Sequence, residues 1–397
     1  MRCLAITLSQ LCENTDENYS MKLIAGKNGL KNTVRWVHIV EDSEVPDFLH
    51  GNELIFTTGI GHAGNEWLRE FILSLHKKGA VGLVVNIGPH ITAVPPQVIV
   101  YCEQNDLPLF TIPWKTRIID ITYDFCRKII ANEKRESTIS DAFKDIIRRP
   151  EKINEHLPVL RHAGFNEQSN YIVITVEFFR EHSSVTESVV KAMDMSLWKS
   201  LRSGKNQSIL FVHRGVLTAI RQNCSDSDIR GFCSLVRMIT DNSDNICCCI
   251  GISDRASGLA EVSAAYFQSK AARMTARIYN RECCCYSDIG IMKLLAAVSN
   301  KSVLEAFEQE QLGILRQHDE QRHTDYFETL RKYLEANCSV NELAEATGVH
   351  RNTVNHKIRM IKQLLGSDLT NEDKARLIIA YHISDMLKYN NHSDGGN

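Results

Sequence analysis

The sequence lacks the features of a membrane, secreted or fibrous protein. No apolar run approaches the roughly 20 residues that span a bilayer, and the apolar start over residues 1–8 is too short for a signal-peptide core. Only 8 prolines and 21 glycines argue against collagen-like and proline-rich chains. The 13 cysteines, an odd number without an export signal, fit reduced thiols rather than a disulfide framework. These absences predict a cytoplasmic protein with no membrane partner.

The chain also has no excess of charge of either sign. Its 46 Lys and Arg residues against 48 Asp and Glu residues give a formal net charge of −2 at pH 7. That balance excludes a protein coated in positive charge, such as a histone-like DNA packer. It leaves open DNA binding by one local basic surface, because net charge averages over every domain. The length of 397 residues predicts two or three domains of about 100–200 residues each.

Motifs of several enzyme and metal-site classes are missing as well. The sequence contains no Walker-type phosphate loop, no His-Glu-x-x-His and no Gly-x-Ser-x-Gly. Two cysteine triplets, Cys247–Cys249 and Cys283–Cys285, lie in apolar strand-like contexts, where successive thiols point to opposite faces. Zinc sites more often use Cys-x2–4-Cys pairs on turns, so we interpret the triplets as packing residues. We predict no catalytic residue, no metal site and no cofactor.

The N-terminal part, residues 1–117, alternates strand-like apolar runs with a helical stretch. The helical stretch is Glu66–Lys78, where apolar residues recur every four positions. The strand-like runs are Val34–Val40, Leu54–Thr58 and Val81–Val85. Alternation of this kind predicts an α/β module.

Residues 118–150 predict one long helix that ends at Pro150, because proline cannot continue a helix interior. One apolar edge runs along it, formed by Ile118, Ile121, Phe125 and Ile129. The helix is either a connection between domains or a helix that pairs two copies of the chain. A single amphipathic face does not distinguish the two.

The rest of the chain predicts a second α/β block over residues 151–297 and an all-helical region over residues 298–390. The second block combines a helix at Leu259–Ile278 with five strand-like runs. These runs are Tyr171–Phe179, Ser208–Phe211, Val216–Ile220, Ile246–Ile252 and Cys283–Tyr286. The predicted fold class is therefore multidomain α+β: two α/β domains followed by an all-α domain.

The sharpest functional signal lies between residues 339 and 365. Ser339, followed three residues later by Glu342, is typical of a capping box that opens a short helix. Gly348 stands where this helix must stop and the chain must turn, a position that favours positive φ. A second helix is predicted from Arg351, with apolar residues at helical spacing on one side. These are Val354, Ile358, Ile361 and Leu365.

The other side of this second helix is polar and basic. Residues 346–366 contain four Lys or Arg residues and no acid. Arginine side chains hydrogen-bond to guanine and asparagine side chains to adenine, and both lysine and arginine bind phosphate oxygens. The pattern predicts a helix-turn-helix whose second helix enters the major groove; the alternative is a helical hairpin with a solvated charged face. The candidate DNA-binding residues are Arg351, Asn352, Thr353, Asn355, His356, Lys357, Arg359 and Lys362.

A second group of polar residues, in the N-terminal part, is a candidate effector pocket. Arg35 could pair with a ligand carboxylate in a bidentate way, and nearby threonines could hydrogen-bond its polar edges. The alternative is that Trp36 and His38 pack in the core and that Arg35 forms a surface ion pair. The full candidate set is Arg35, Trp36, His38, Glu41, Glu53, Thr57 and Thr58.

Segments along most of the chain resemble those of a known family, the PucR/CdaR-type bacterial transcription regulators. The C-terminal segments Thr329–Asn337, Ala344, Val349–Val354, Leu364–Gly366 and Asp368–Leu369 resemble the helix-turn-helix domain of that family, and the turn and second helix also resemble the Fis type. Val34–Glu41, Gly51–Gly59 and Leu107–Trp114 look like its N-terminal purine-catabolism-regulator domain. The middle block is similar to its degenerate GGDEF-like domain at Gly251–Ile252, Ala264–Tyr266 and Ala271–Ala272.

Two departures from the family pattern matter. The family's recognition helix often continues with Arg-Tyr-Arg, where this chain has Asn355, His356 and Lys357, so the operator sequence is open. A cyclic-dinucleotide synthase needs a Gly-Gly-Asp/Glu-Glu-Phe hairpin, and the only Gly-Gly here is Gly395–Gly396. Nucleotide turnover is therefore not expected, whereas nucleotide binding stays open.

The resemblance implies a metabolite-responsive activator of a catabolic operon and not an enzyme. The implied domains are a sensor (1–117), a connecting or dimerising helix (118–150), a degenerate GGDEF-like domain (151–297) and a DNA reader (298–390). The predicted partners are double-stranded operator DNA, a nitrogen-containing or organic-acid effector, and further copies of the chain in a homodimer or higher oligomer. Two alternatives remain: a nucleotide-sensing or nucleotide-processing protein built on the middle domain, and a metabolite-binding protein whose helix-turn-helix contacts only proteins.

Overall fold

The computed structural model describes residues 6–42, 49–62, 67–180, 183–184, 197, 207–213, 215–243 and 245–394. Within these ranges two mixed α/β regions precede an all-helical one, as the sequence predicted. No helix among the described residues is both long enough and apolar enough to cross a membrane.

The N-terminal region is built on a five-stranded sheet with the spatial order β1-β5-β4-β3-β2. Strands β2 to β5 are parallel, and β1 is antiparallel to β5. The strands are β1 (Lys22–Ala25), β2 (Trp36–Ile39), β3 (Glu53–Thr57), β4 (Gly82–Ile87) and β5 (Leu109–Pro113). The helices that precede and connect them are α1 (Leu8–Leu11), α2 (Thr15–Tyr19), α3 (Trp67–Lys77) and α4 (Pro96–Gln104).

The apolar composition of the central strands β3 and β4 follows from their burial on both faces of the sheet. Helices α3 and α4 pack on one face of the sheet. Helix α1 and the long helix α5 (Ile118–Arg148) pack on the other face. The three predicted strands and the predicted helix are confirmed as β2, β3, β4 and α3, although Glu66 lies outside the described residues. The elements β1, β5, α1, α2 and α4 were not predicted.

A single helix, α5 (Ile118–Arg148), belongs to two cores. Its first half packs Phe125 and its neighbours onto the N-terminal sheet, while Phe143 and Ile146 pack into the middle core. The predicted apolar edge is thus packed against the N-terminal sheet and is not free to pair two copies, while the helix as a whole connects the two regions. The helix stops just before Pro150, as predicted.

The middle region contains a mixed sheet with the order β11-β10-β6-β9-β8, in which β7 also pairs with β6. Among the described strands of this sheet, only β10 and β11 pair in parallel. The strands are β6 (Tyr171–Arg180), β7 (Ser183–Ser184), β8 (Ser208–His213), β9 (Val216–Gln222), β10 (Cys247–Ile252) and β11 (Cys283–Cys285). The helices are α6 (Ile153–His162), α7 (Asp226–Asp241) and α8 (Val262–Ile278). All five predicted strands are confirmed, with shifts of one or two residues at their ends.

Helix α8 crosses β10 in direct contact with its backbone. A Cβ at Gly251 would lie 2.0 Å from the carbonyl oxygen of Ser269 and 2.3 Å from the amide nitrogen of Arg273. Only glycine permits this approach. The flanking Cys249 thiol is buried on this side, and burial raises its pKa to about 12, so that it stays protonated at neutral pH. Among the described residues, no group of three potential ligands is arranged to hold a metal ion.

The C-terminal region consists of helices, and its last helix returns to the middle region. The helices are α9 (Met292–Ala297), α10 (Lys301–Arg322), α11 (Tyr326–Glu335), α12 (Val340–Thr347), α13 (Arg351–Leu365) and α14 (Asn371–Asp394). Ile383 and Met386 of α14 pack with Ala272 of α8 and Met292 of α9. The C-terminal helices are therefore attached to the middle region by a shared core.

Candidate nucleic-acid interface

Helices α12 and α13 form the predicted helix-turn-helix, with local contacts at each end. The Ser339 hydroxyl accepts a hydrogen bond from the amide of Glu342 at 3.2 Å and caps α12. Helix α12 ends at Gly348, whose φ is +68°. Helix α13 then begins after His350, whose ring nitrogen Nδ1 accepts from the amide of Asn352 at 3.2 Å. The predicted start near Arg351 and the predicted positive φ are both confirmed.

The apolar side of α13 holds the motif together. Val354, Ile358 and Ile361 are buried in one cluster with Leu343 of α12 and Leu330 of α11. Leu365, the fourth residue of the predicted stripe, is only partly buried. Because a helix turns about 100° per residue, this packing directs the opposite side of α13 outward.

The outward side carries most of the predicted DNA-binding residues. Near its middle lie Asn352, His356 and Arg359, and all three are exposed. Arg351, Thr353 and Asn355 are exposed on the flanks, and Lys362 is half-buried. The N-terminus of α13 has no acidic residue in its first turn, so the partial positive charge of the helix adds to that of Arg351.

Most of these side chains have no polar partner within the described part of the chain. No hydrogen bond or ion pair joins the side chains of Arg351, Asn352, Asn355 or Arg359 to another described residue. Lys357 differs from them, because its Nζ lies 2.6 Å from both carboxylate oxygens of Asp325, at the start of α11. Lys357 is therefore engaged inside the domain. Lys357 lies about 200° around the helix from Arg359, on a different side. This position could have indicated from the sequence that Lys357 does not share the outward side with Arg359.

Gly348 supports a first prediction. Open space surrounds the position of a Cβ there, so an added side chain would meet no atom within 4 Å. Substitution Gly348→Ala should therefore cost only the backbone strain of the left-handed conformation, about 1–2 kcal/mol. We expect thermal unfolding of the full chain to show a less stable C-terminal domain. Gly231→Ala, at a helical site with equally open space and no positive φ, is the matched control. Equal stability of both variants would contradict the prediction.

The structure separates the candidate effector residues into a group around Glu41 and four residues that lie elsewhere. Glu41 accepts hydrogen bonds from the Thr58 amide at 2.8 Å, the Gly59 amide at 2.8 Å and the Thr57 hydroxyl at 3.0 Å. The ring of His62 contacts the Glu41 carbonyl oxygen at 2.6 Å through Nε2. This cluster, hereafter the Glu41 cluster, lies just beyond the carboxyl end of β3. Sequence reasoning missed His62, and it treated Gly59 only as the end of the Gly51–Gly59 segment that resembles the family.

The remaining four candidates do not join the Glu41 cluster, so the prediction of one pocket needs correction. Trp36 is paired in register with Glu53 at the start of β3, about 13 Å from its end at 3.3 Å per residue. Glu53 is buried, and its Oε1 accepts from the amide of His50. Arg35, Trp36 and His38 are exposed along β2, an edge strand. The alternative interpretation, that Trp36 and His38 pack in the core, is also wrong.

Three regulators of Bacillus subtilis strain 168 are similar to parts of the chain. The chain is 32% identical over 85 residues to the proline-responsive transcriptional activator PutR, covering 21% of each protein. It is 31% identical over 100 residues to the purine catabolism regulatory protein, covering 25% of this chain and 19% of that one. It is 29% identical over 86 residues to the DNA-binding transcriptional activator AdeR, covering 22% and 20%. The chain thus spans about a fifth of the length of the curated relatives that it matches.

A solved structure and two family models complete the comparisons. The regulator of polyketide synthase expression from Bifidobacterium adolescentis matches 63% of this chain and 98% of its own, with a TM-score of 0.33 and 16% identity. Residues 11–129 match the purine catabolism regulatory protein-like family, and residues 326–383 match the PucR C-terminal helix-turn-helix domain. The second match contains α11, α12 and α13, so the geometry and the sequence agree. The chain therefore carries a PucR-family N-terminal domain and a PucR C-terminal helix-turn-helix domain.

Proposed function

We propose that this protein is a transcription regulator that binds double-stranded operator DNA through α13. The observation that carries the proposal is the outward side of α13, where exposed Arg351, Asn352, Asn355 and Arg359 have no partner among the described residues. Such groups recognise base edges and phosphates in the major groove. Two of the similar Bacillus proteins are named activators, and this supports activation of a catabolic operon rather than enzymatic turnover.

The proposal is tested by selecting DNA from a randomised duplex library with the full chain. We expect enrichment of a defined sequence, with half-sites about one helical turn apart, or a multiple of it, if two copies bind together. Footprinting should then protect the major groove at each half-site. A library that shows no sequence enrichment would contradict the proposal and favour a helix-turn-helix that contacts only proteins.

We further infer that the N-terminal domain binds a small effector, either a nitrogen-containing metabolite or an organic acid. The support is that ligands of α/β folds bind beyond the carboxyl ends of parallel strands, where the Glu41 cluster lies. There, two main-chain amides and two hydroxyls already bind a carboxylate, and the same groups suit an anionic ligand. A panel of amino acids, purines and organic acids, screened by ligand-induced shifts in unfolding temperature, tests this inference.

Glu41 supports a second prediction. In Glu41→Gln an amide replaces the carboxylate that receives these four hydrogen bonds, so the charge-assisted part of each bond is lost. We expect the loop after β3 to become less stable by about 2 kcal/mol, seen as faster hydrogen–deuterium exchange in residues 53–62. The exposed Glu13 serves as control, because Glu13→Gln should leave this exchange unchanged. Unaltered exchange in Glu41→Gln would show that the carboxylate does not hold the loop.

For the middle region we infer a degenerate GGDEF-like domain that does not turn over nucleotides. Its support is the mixed sheet with the β8–β9 hairpin, together with the lack of a Gly-Gly pair anywhere but in the tail. Incubation of the full chain with GTP and magnesium should yield no cyclic dinucleotide. Detection of such a product would favour a nucleotide-processing function.

A further inference from the structure

Helix α5 carries a second apolar stripe, three of whose four residues are exposed, while the fourth, Cys126, also touches the N-terminal core. Ile119 and Tyr123 are each 68% exposed, and Ile130 is 53% exposed. With the half-buried Cys126 they follow the spacing i, i+4, i+7 and i+11, so all four lie on one side of the helix. The buried edge of Ile121 and its neighbours lies on a different side. Ile119, Tyr123 and Ile130 therefore remain exposed on a helix whose other apolar edge is buried in the core.

The spacing of the exposed stripe is that of a helix-pairing seam. Steps of four, three and four residues match the alternation of a and d positions in a heptad, with Tyr123 and Ile130 at a and Ile119 and Cys126 at d. Isolated exposed apolar side chains are ordinary, but a contiguous stripe of this kind marks an interaction surface. The stripe ends after Ile130, because Glu133 and Ser137 occupy the next two positions.

Two charged residues beside the stripe indicate what covers it. Asp120 and Arg127 occupy successive e positions on its outer flank, and both are exposed. Neither has an ion pair or a side-chain hydrogen bond with another residue that the structure describes. We propose that the stripe pairs with the same stripe of a second copy of this chain, the two α5 helices running antiparallel. The complementarity of these charges carries the choice of partner.

In the antiparallel alignment the apolar residues of the two stripes face each other, and the flanking charges form ion pairs. When the two-fold axis passes midway between Tyr123 and Cys126, Ile119 faces the partner's Ile130 and Tyr123 faces the partner's Cys126. In the same alignment Asp120 lies beside the partner's Arg127, and this ion pair occurs twice because of the symmetry. Flanking e positions of antiparallel helices face each other, so opposite charges at successive e positions are what self-pairing requires.

A parallel alignment would not use these charges. In parallel pairs each e position faces a g position of the other helix. The g positions here are Thr122 and Ile129, and both are buried in the N-terminal domain. Asp120 and Arg127 would then remain without partners. The charges and the burial on the inner flank both favour the antiparallel arrangement.

The inferred dimer deepens the proposed function, because two copies bring two helix-turn-helix motifs to two half-sites. Its test contains no DNA, so failure of the dimer and failure of DNA binding are separate results. Sedimentation equilibrium of the full chain should show a dimer at micromolar concentration. In Arg127→Asp, two like-charge contacts replace two ion pairs, and we expect the dimer dissociation constant to rise about tenfold or more.

Reversal of both charges provides the decisive control. The double variant Asp120→Arg with Arg127→Asp restores both ion pairs in the antiparallel alignment, and the dissociation constant should return close to that of the natural chain. Arg230→Asp, an exposed charge change on α7, should have no effect. A monomeric natural chain, an unchanged dissociation constant in Arg127→Asp, or a double variant as weak as the single one would each overturn the proposal.

The direction of the helices has a separate readout. In the antiparallel dimer, Tyr123→Cys places the new thiol opposite the partner's Cys126. Mild oxidation with diamide, which takes up the two thiol hydrogens, should then give a covalent dimer whose mapped disulfide joins positions 123 and 126 of different copies. The natural chain should not link through this helix. A covalent dimer of the natural chain through two Cys126 residues would overturn the antiparallel arrangement in favour of a parallel one.

Discussion

The variant Arg359→Glu is expected to bind the selected DNA about 100-fold more weakly than the natural chain. Arg359 lies near the middle of the outward side of α13 and has no partner among the described residues. Loss of one good arginine contact costs about 1–3 kcal/mol, and a carboxylate in its place adds repulsion from the phosphates. Each 1.4 kcal/mol is a tenfold change in affinity, so the sum is about two orders of magnitude.

Anisotropy titrations at several salt concentrations measure this effect and separate it from misfolding. Arg359→Ala should lower both the affinity and the salt slope, the latter by about one unit if a phosphate contact is lost. Lys357→Ala offers a contrast on the same helix, because its ammonium already pairs with Asp325. Its salt slope should change less. If Arg359→Glu binds as well as Arg230→Glu, a charge change on α7, then α13 is not the DNA-reading helix.

The variant Glu177→Ala is expected to destabilise the middle domain by about 3 kcal/mol. Glu177 lies on β6 and forms an ion pair at 3.0 Å with Arg273 of α8, whose side chain is 7% exposed. The Glu177 carboxylate also accepts a hydrogen bond from the Tyr389 hydroxyl of α14 at 2.9 Å. Removal of the carboxylate leaves a buried guanidinium without its counter-charge, and such losses cost about 3–5 kcal/mol. The lower end applies because Glu177 itself is partly exposed.

Removal of the other partner should cost less. In Arg273→Met no buried charge remains, and the Glu177 carboxylate can still be hydrated and bonded to Tyr389. Urea unfolding of the full chain, with hydrogen–deuterium exchange to assign the transition to β6 and α8, compares the two variants. If Arg273→Met destabilises the domain as much as Glu177→Ala or more, an unpaired buried guanidinium is not the cause of the loss in Glu177→Ala.

The helix-turn-helix could be predicted because its determinants are local. A cap at Ser339, a left-handed turn at Gly348 and an apolar stripe from Val354 to Ile361 all lie within 23 residues, and each acts on its immediate neighbours. The structure altered two details, the burial of Leu365, which is only partial, and the role of Lys357. Its partner Asp325 lies 32 positions earlier in the sequence, and spacing within one helix cannot reveal such a contact.

The Glu41 cluster could be predicted only in part, because its geometry depends on strand order. The alternation in β2 showed which residues share a face, but it could not show that β2 is the edge of the sheet. Trp36 and His38 are exposed for that reason. The Glu41 carboxylate meets the loop after β3 only because β2 and β3 are parallel neighbours.

Local sequence patterns were sufficient to predict the order of α/β and helical regions, the long helix that ends before Pro150, and the turn and second helix that the proposed DNA contact requires. These features depend on periodicity, capping and backbone preference, which act over a few residues. The buried side of α5, by contrast, is set by tertiary packing. Two apolar stripes run along this helix, and the packing of Ile121, Phe125 and Ile129 against the N-terminal sheet left Ile119, Tyr123 and Ile130 exposed. Contacts between residues distant in sequence make that choice, and no local pattern contains them.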